Sequence, residues 1–313
     1  MLFAILVADG VFASGFALLY DTLTVAEVLR PAHDPAVPEI RVAVVGEQPL
    51  VRTGSGMAIP TTARLDDLAG ADVVVVPALG ALDEAGMVHA LDAPATSRMA
   101  GALADLDRSS GLVAAACTGT FVLAEAGLLS GRRATTSWWL NSLFARRYPD
   151  TELDADRMVV KDKDVLTAGA AFAHIDLALT LVRGISVELA DRVARHLLID
   201  ERATQSMYVP LDHVSHDDQL VRLFERHVRA NLAHPLPITT VARALATTPR
   251  TLERRVRATA NMTPLELIQR IRAERAEHLL ATTEQSIDEI ALDIGYRNGS
   301  TLRALLRKYR RSP

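Results

Sequence analysis

The chain has 313 residues, of which 49% are hydrophobic, and its mean hydropathy is +0.16, enough apolar material for sizeable cores in two domains or one large one. No stretch reaches the ~20 uninterrupted apolar residues that a membrane-spanning helix needs. The apolar N-terminal segment lacks a basic flank and contains Asp9, so it predicts a buried strand rather than a signal peptide. The single cysteine, Cys117, excludes an internal disulfide and fits a location in the cytoplasm.

The net charge of −4 is unevenly distributed along the chain. Residues 211–313 contain 17 Lys and Arg against 12 Asp and Glu, a net charge of +5, which leaves −9 for the remainder. A basic section joined to an acidic body indicates that the basic section binds a polyanion. Many solvated helices are also rich in arginine, so charge by itself is weak evidence for nucleic-acid binding.

The first 200 residues alternate strand patterns with helical patterns. Short β-branched runs without polar alternation are typical of strands buried on both faces of a parallel sheet. They occupy residues 2–8, 40–46, 72–78 and 112–117. Helical patterns occupy residues 86–108, with a break expected at Pro94, and residues 118–126 and 172–198. This order predicts a doubly wound α/β domain over residues 1–200.

Cys117 lies where a predicted strand meets a predicted helix. The sequence Cys117-Thr118-Gly119 at that point predicts the sharp turn known as a nucleophile elbow. A helix N-terminus stabilises the thiolate form of a cysteine, which favours a reactive role. The alternative is a small buried residue at a strand end, because free cysteine is among the most buried residue types.

The run from Cys117 through Thr135 and Thr136 to Trp138 resembles the PfpI-like, class I glutamine-amidotransferase-like family. The resemblance covers about residues 1–200 and implies a flavodoxin-like doubly wound parallel sheet. Enzymes of that family place a histidine where this chain has Ser137. They place an acid where it has Gly15, and Asp21 follows one or two turns later. The loop at residues 77–80 resembles their oxyanion site.

These departures from the family predict that the domain is not an enzyme. A thiolate nucleophile needs a base and an oriented partner, and Ser137 cannot act as a base at neutral pH. The alternatives are His89 and His174, and no spacing connects either of them to Cys117. We therefore expect a sensor without metal or cofactor. Its candidate ligand pocket consists of Cys117, Thr118, Gly119, Ser137 and Trp138.

The remaining residues predict a linker and a helical domain. Residues 201–216 lose periodicity and contain Pro210, which predicts the linker, and a helical pattern resumes within residues 217–232. Thr239 is expected to cap a short helix, and Thr248 with Pro249 is a favourable start for a second, arginine-rich helix after a tight turn. Two short helices joined in this way form the helix-turn-helix pattern.

The same pattern recurs 49 residues later along the chain. Between the two copies, the capping box at residues 263–266 begins a long helix that extends to about Ala281. A second capping box lies at residues 286–289, a turn at residues 295–296, and a basic helix begins near Gly299. The apolar residues Val241, Ala242 and Leu245 recur as Ile290, Ala291 and Ile294. Such self-similarity predicts two copies of one DNA-binding unit.

Residues 286–302 resemble the signature region of the AraC/XylS family of transcription regulators, and residues 248–255 resemble its first recognition helix. The resemblance implies that both recognition helices of the domain at residues 217–313 enter successive major grooves of double-stranded DNA. By position, the residues expected to contact DNA are Arg250, Glu253, Arg254, Asn298, Ser300, Arg303 and Arg307. The chain departs from the family at Ala304, where arginine is frequent, and at Leu302 and Leu306, where aromatic residues are frequent.

The leading prediction is a transcription regulator that binds DNA, responds to a small-molecule effector, forms a homo-oligomer and does not contact a membrane. The alternative is an amidase, protease or glyoxalase that uses Cys117 as its nucleophile. A third hypothesis makes Cys117 a redox sensor. A lone cysteine permits only an intermolecular disulfide or a sulfenic acid in that role.

Overall fold

The computed structural model describes residues 1–106, 111–200, 205, 218–260, 262–283 and 285–310. The chain divides into two compact units, Met1–Met207 and Tyr208–Pro313, which we call the α/β unit and the helical unit. The predicted linker, apart from Gln205, lies outside the described residues, as does the end of the predicted helix 86–108.

A mostly parallel sheet forms the centre of the α/β unit. The strands are β1 (Leu2–Leu6), β2 (Arg41–Val45), β3 (Leu50–Arg52), β4 (Ala58–Pro60), β5 (Val73–Val76), β6 (Leu112–Ala116), β7 (Arg133–Ala134), β8 (Glu152–Leu153), β9 (Val159–Asp162) and β10 (Val165–Ala168). The main sheet has the order β2-β1-β5-β6-β10-β9, in which only the edge strand β9 is antiparallel to its neighbour. All four residues of β5 are buried, as a strand covered on both faces requires. The four predicted strands are confirmed.

Helices cover both faces of this sheet. They are α1 (Ala13–His33), α2 (Glu84–Asp92), α3 (Pro94–Ala104), α4 (Gly119–Glu125), α5 (Asn141–Arg147), α6 (Ala173–Arg183) and α7 (Val187–His196). One apolar core joins the sheet to α1, α6 and α7, and a second joins it to α2, α3, α4 and α5. The break at Pro94 is confirmed. The single helix expected over residues 172–198 is wrong, because Ser186 caps a new helix by accepting a hydrogen bond from the Leu189 N–H at 3.2 Å.

The helical unit contains α8 (Gln219–Ala230), α9 (Ile238–Ala244), α10 (Pro249–Ala260), α11 (Pro264–Thr282), α12 (Ile287–Asp293) and α13 (Gly299–Arg310). Helices α8, α9 and α10 pack with the first half of α11 around one apolar cluster. Helices α12 and α13 pack with the second half of α11 around another. The two predicted helix-turn-helix pairs are therefore α9–α10 and α12–α13, and α11 connects them.

Local capping explains most helix boundaries in the helical unit. Capping boxes are present at Thr263 and Ser286, and Thr248 caps α10 by accepting a hydrogen bond from the Thr251 N–H at 3.2 Å. The expected cap at Thr239 is wrong. Helix α9 begins at Ile238, directly after Pro237, so Thr239 already lies inside the helix. Proline has its φ already near the helical value and no N–H to satisfy, so it ends the preceding loop without a side-chain cap.

Candidate functional site

Cys117 occupies a strained turn between β6 and α4. Its φ is +57°, in the left-handed region that residues with a Cβ rarely adopt. The sharp turn brings Gly119 against β5, where a Cβ would lie 2.5 Å from the Val76 carbonyl oxygen and 2.6 Å from that of Pro77. Only glycine fits at this position. The nucleophile-elbow geometry predicted from the sequence is therefore present.

The thiol of this elbow is enclosed by the protein. Cys117 is 3% exposed. Burial raises the pKa of its thiol to about 11, although the Thr118 backbone and the hydroxyl groups of Ser137 and Thr118 oppose that rise. At neutral pH the group is consequently a neutral thiol. The helix N-terminus does not produce the thiolate that the sequence pattern favoured, because desolvation outweighs it.

Threonine hydroxyl groups connect the elbow to the segment that follows β7 and to the loop that follows β5. The Thr136 hydroxyl donates to the Cys117 carbonyl at 2.8 Å, and the Thr118 hydroxyl donates to the Leu79 carbonyl at 2.6 Å. Ser137 is fully buried, and its hydroxyl lies beside the Cys117 sulfur with no other hydrogen-bond partner among the described residues. It is unusual for a buried hydroxyl group to leave part of its hydrogen-bonding capacity unused.

Four of the five residues of the candidate pocket are closed off from solvent. Cys117, Thr118, Gly119 and Ser137 are buried, whereas Trp138 is half-buried and contacts the neighbouring Trp139 edge to face, with ring centres 5.2 Å apart. A ligand that reaches the thiol therefore has to displace part of this segment, and Trp138 is its most exposed member.

His174 occupies the space beside Gly15. A Cβ at Gly15 would lie 2.6 Å from Nε2 of His174, so a side chain at that position and the imidazole ring exclude each other. Nε2 accepts a hydrogen bond from the Ala78 N–H at 3.0 Å, and Nδ1 donates to the Ala171 carbonyl. Burial lowers the pKa of His174 to about 4, against the opposing effect of the bond to Ala171. The ring is neutral at physiological pH.

The hydrogen bond to His174 also involves the loop at residues 77–80, which was expected to form an oxyanion site. Its Ala78 N–H is already engaged by His174, so that donor does not face an open cavity. Asp21, the acid nearest to Gly15 on the same helix, is exposed to solvent. His174 thus has a defined structural partner on each ring nitrogen. The sequence did not suggest this, because the ring meets residues almost a hundred positions away.

Gln205 is a buried residue that sequence analysis assigned to the linker. Its side chain is 1% exposed and lies within the α/β unit. Oε1 accepts from the Ala170 N–H at 2.9 Å, and Nε2 donates to the carbonyls of Thr136 and Ala155 at 3.0 Å and to the Thr135 hydroxyl at 3.2 Å. Sequence analysis placed this residue in the linker, whereas the structure buries it within the α/β unit. Its amide instead binds the Thr-Thr pair that precedes Ser137.

The predicted DNA contacts of the first unit lie on an exposed face of α10. Leu252 and Val256 of this helix are fully buried, whereas Arg250, Glu253 and Arg254 are exposed. Neither Arg250 nor Arg254 forms an ion pair within the described part of the chain. The other two arginines of α10 are paired, because Arg255 contacts Asp218 and Arg257 lies 3.3 Å from Glu253.

Helix α13 repeats this arrangement with fewer arginines. Leu302 and Leu306 are buried, and Asn298, Ser300, Arg303 and Arg307 are exposed. The Asn298 Oδ1 accepts from the Thr301 N–H at 3.0 Å and from the Ser300 hydroxyl at 2.7 Å, so that oxygen caps the helix. Its amide nitrogen is left for other contacts. Arg303 and Arg307 form no ion pair with any described residue.

Two further features concern the part of the chain that the structure describes. None of its helices is long and apolar enough to cross a membrane. No group of three or more His, Cys, Asp or Glu side chains in it is arranged to hold a metal ion.

Comparison with known proteins relates both units to established families. The sequence profile of the DJ-1/PfpI family matches residues 4–184, and that of a helix-turn-helix domain matches residues 241–313. The HTH-type transcriptional regulator ArgR of Pseudomonas aeruginosa is 30% identical over 216 residues, which cover 66% of this chain and 64% of that protein. The isonitrile hydratase of Pseudomonas putida is 30% identical over 164 residues, which cover 52% of this chain and 67% of that enzyme.

The fold of the α/β unit also matches a solved structure. DJ-1beta of Drosophila melanogaster superimposes on 64% of this chain and 98% of its own, with a TM-score of 0.50 at 22% identity. The predicted fold class is confirmed. This chain spans less than two thirds of the length of the regulator that it matches, since the alignment covers 64% of that protein.

Proposed function

Because the chain belongs to the DJ-1/PfpI family and carries a C-terminal AraC-type helix-turn-helix domain, we propose that it is a transcription regulator that binds double-stranded DNA in a sequence-specific manner. The α/β unit acts as a non-catalytic sensor of a small molecule. The protein works in the cytoplasm as a homo-oligomer, so that two copies read a longer operator than one copy would.

The observation that carries this proposal is the pair of matching helix-turn-helix units with exposed, unpaired arginines. Arginine binds guanine in the major groove and phosphate on the backbone, both through paired hydrogen bonds. Arg250 and Arg254 are separated by one helical turn on α10 and lie opposite its buried side. We assign base contacts to these two residues and to Glu253. Asn298, which precedes α13, and Ser300, Arg303 and Arg307 within it contribute mainly phosphate contacts, because this chain has Ala304 where the family often has an arginine.

An enzymatic role for Cys117 is the competing hypothesis, and the similarity to isonitrile hydratase is the reason to consider it. Three observations weigh against it. Cys117 is a neutral buried thiol, Ser137 supplies no base, and the ring of His174 fills the space where a side chain at Gly15 would lie. Alkylation by iodoacetamide should accordingly remain slow at pH 7 and rise toward pH 11, because the thiolate is the reactive form. Fast alkylation at pH 7 would favour the enzyme.

We place the effector at Cys117, Thr118, Gly119, Ser137 and Trp138. Support comes from the buried Ser137 hydroxyl, which has unused hydrogen-bonding capacity, and from the half-buried Trp138 beside it. Gln205 connects this region to the segment that leads toward the helical unit, since it binds both Thr135 and Thr136. A ligand that displaces residues 137–138 would therefore also disturb the anchoring of Gln205.

The first experiment selects genomic DNA fragments with the purified full chain and sequences them. We compare the wild type with Arg250→Ala/Arg254→Ala and with a charge-matched control, Arg226→Ala/Arg275→Ala, which removes two exposed arginines from α8 and α11. The wild type and the control should enrich one motif, and the first double variant should lose it. Enrichment of no motif by the wild type at moderate salt would contradict the proposed function.

A further inference from the structure

Helix α11 belongs to both lobes of the helical unit. Leu267, Ile268 and Ile271 in its first half are buried in the cluster of α8, α9 and α10. Ala273, Ala276 and Leu279 in its second half are buried in the cluster of α12 and α13. Between these two sets lies Arg272, which is only 9% exposed. Removing an arginine from water costs free energy, so the contacts of Arg272 in the folded protein have to offset that cost.

Arg272 binds the first lobe through backbone carbonyls. Its Nη2 donates to the carbonyl of His234 at 2.8 Å and to that of Leu232 at 3.1 Å. Both residues follow α8, and Leu232 packs against the first cluster. The planar guanidinium holds its donors in a fixed geometry, so these two bonds orient the loop at residues 232–234 relative to α11.

Arg272 also contacts the turn of the second helix-turn-helix unit. Its guanidinium lies 5.2 Å from the centre of the Tyr296 ring, a distance typical of a cation–π contact. The preceding residue, Gly295, has a φ of +82°, and a Cβ there would lie 2.8 Å from Nη2 of Arg272 and 2.5 Å from the Leu232 carbonyl oxygen. The turn of the second lobe, Arg272 and the loop of the first lobe thus meet at one point.

We propose that Arg272 is a positioning residue that fixes the distance and angle between α10 and α13, and thereby sets the spacing of the two DNA half-motifs. Each lobe has its own apolar cluster, so each can hold its recognition helix without the other. Their relative orientation depends on α11 and on this bridging contact. The inference rests on the proposed DNA binding.

The consequence for DNA is a strict dependence on spacing. One inserted base pair moves a half-motif by ~3.4 Å and rotates it by about 34° around the duplex. A protein with rigidly oriented recognition helices cannot follow that change. A protein with a loosened connection can, because each lobe adjusts separately.

The test measures the affinity of the full chain for the selected motif and for the same motif with one base pair inserted between its halves. We expect the wild type to bind the altered spacing about 30-fold more weakly, and Arg272→Met to show less than about a 3-fold difference between the two. Arg272→Lys, which keeps the charge without the planar fork, and Tyr296→Leu should both lose most of the discrimination. The control Arg275→Met, at an exposed position of the same helix, should behave as the wild type.

The possible outcomes separate this inference from the proposed function. If the wild type binds no motif selectively, sequence-specific DNA binding by this chain is disproved, and the proposed role of Arg272 is disproved as well. If the wild type discriminates between spacings and Arg272→Lys and Tyr296→Leu do so equally well, DNA binding stands and the positioning role is overturned. These two milder variants decide the question even if Arg272→Met fails to fold.

Discussion

The two units place their functional groups in opposite environments. In the α/β unit, Cys117, Ser137 and His174 are buried, and their surroundings suppress charge on the thiol and the imidazole. In the helical unit, Arg250 and Arg254 are exposed on α10, whose opposite side is buried in an apolar cluster. Substitutions at the buried site of the α/β unit should therefore act mainly by lowering the stability of the fold. Substitutions on the exposed surface of α10 should act mainly by weakening DNA binding.

The largest effect expected under this comparison comes from Gly119→Ala. The new Cβ would meet two backbone carbonyl oxygens at 2.5 and 2.6 Å, which cannot rotate away. We expect the free energy of unfolding of the α/β unit to fall by about 3 kcal/mol or more. Urea unfolding followed by tryptophan fluorescence measures this unit alone, because the two tryptophans of the chain are Trp138 and Trp139.

The matched control is Gly101→Ala on α3, where nothing lies within 4 Å of the added Cβ. It should be neutral or stabilise the unit by up to about 1 kcal/mol, since alanine favours a helix over glycine. Equal destabilisation by both variants would refute the packing argument at Gly119.

Acid should destabilise the α/β unit through His174. The pKa of this group falls from 6.5 to about 4 on folding, so the unfolded chain binds its proton first as the pH falls. The stabilisation is complete above pH 6.5 and is lost as the pH falls toward 4, by about 3 kcal/mol in total. His174→Gln should flatten this dependence in tryptophan-monitored urea titrations at pH 7, 5.5 and 4. An unchanged slope would exclude His174 as the cause.

Gln205→Leu tests whether the residue assigned to the linker belongs energetically to the α/β unit. The substitution leaves the Ala170 N–H and the carbonyls of Thr136 and Ala155 without their buried partner. We expect a loss of about 2 kcal/mol in the tryptophan-monitored transition. Gln219→Leu, at an exposed position of α8, serves as the control and should leave that transition in place. Equal stability of Gln205→Leu and the wild type would argue against the anchor.

The smallest effect concerns a cap in the helical unit. Ser286→Ala removes a hydroxyl that accepts from the Glu289 N–H at 3.3 Å and abolishes the capping box of α12. The helical unit should lose about 1 kcal/mol, measured by far-ultraviolet circular dichroism in urea. The α/β unit should be unaffected in tryptophan fluorescence. A shift of both transitions together would mean that the units do not unfold separately.

Sequence patterns predicted the helical unit in more detail than the α/β site. Its capping residues, such as Thr263 and Ser286, act within four positions along the chain, so their geometry follows from local sequence. Local rules were misleading at Thr239, where the preceding Pro237 supplied a competing helix start. The four strands were also predictable, since burial on both faces leaves a continuous apolar run.

The sequence by itself determined four of the six strands of the main sheet, the two helix-turn-helix pairs and the position of Cys117 at an elbow, because hydrophobic periodicity and capping act over short separations. Only the tertiary structure decided that the Cys117 thiol stays neutral, that His174 fills the space beside Gly15, and that Gln205 and Arg272 are buried against backbone carbonyls of other segments. Each of these depends on burial by residues far away in the chain. Desolvation and hydrogen bonding between such distant groups exist only once the fold has brought them together.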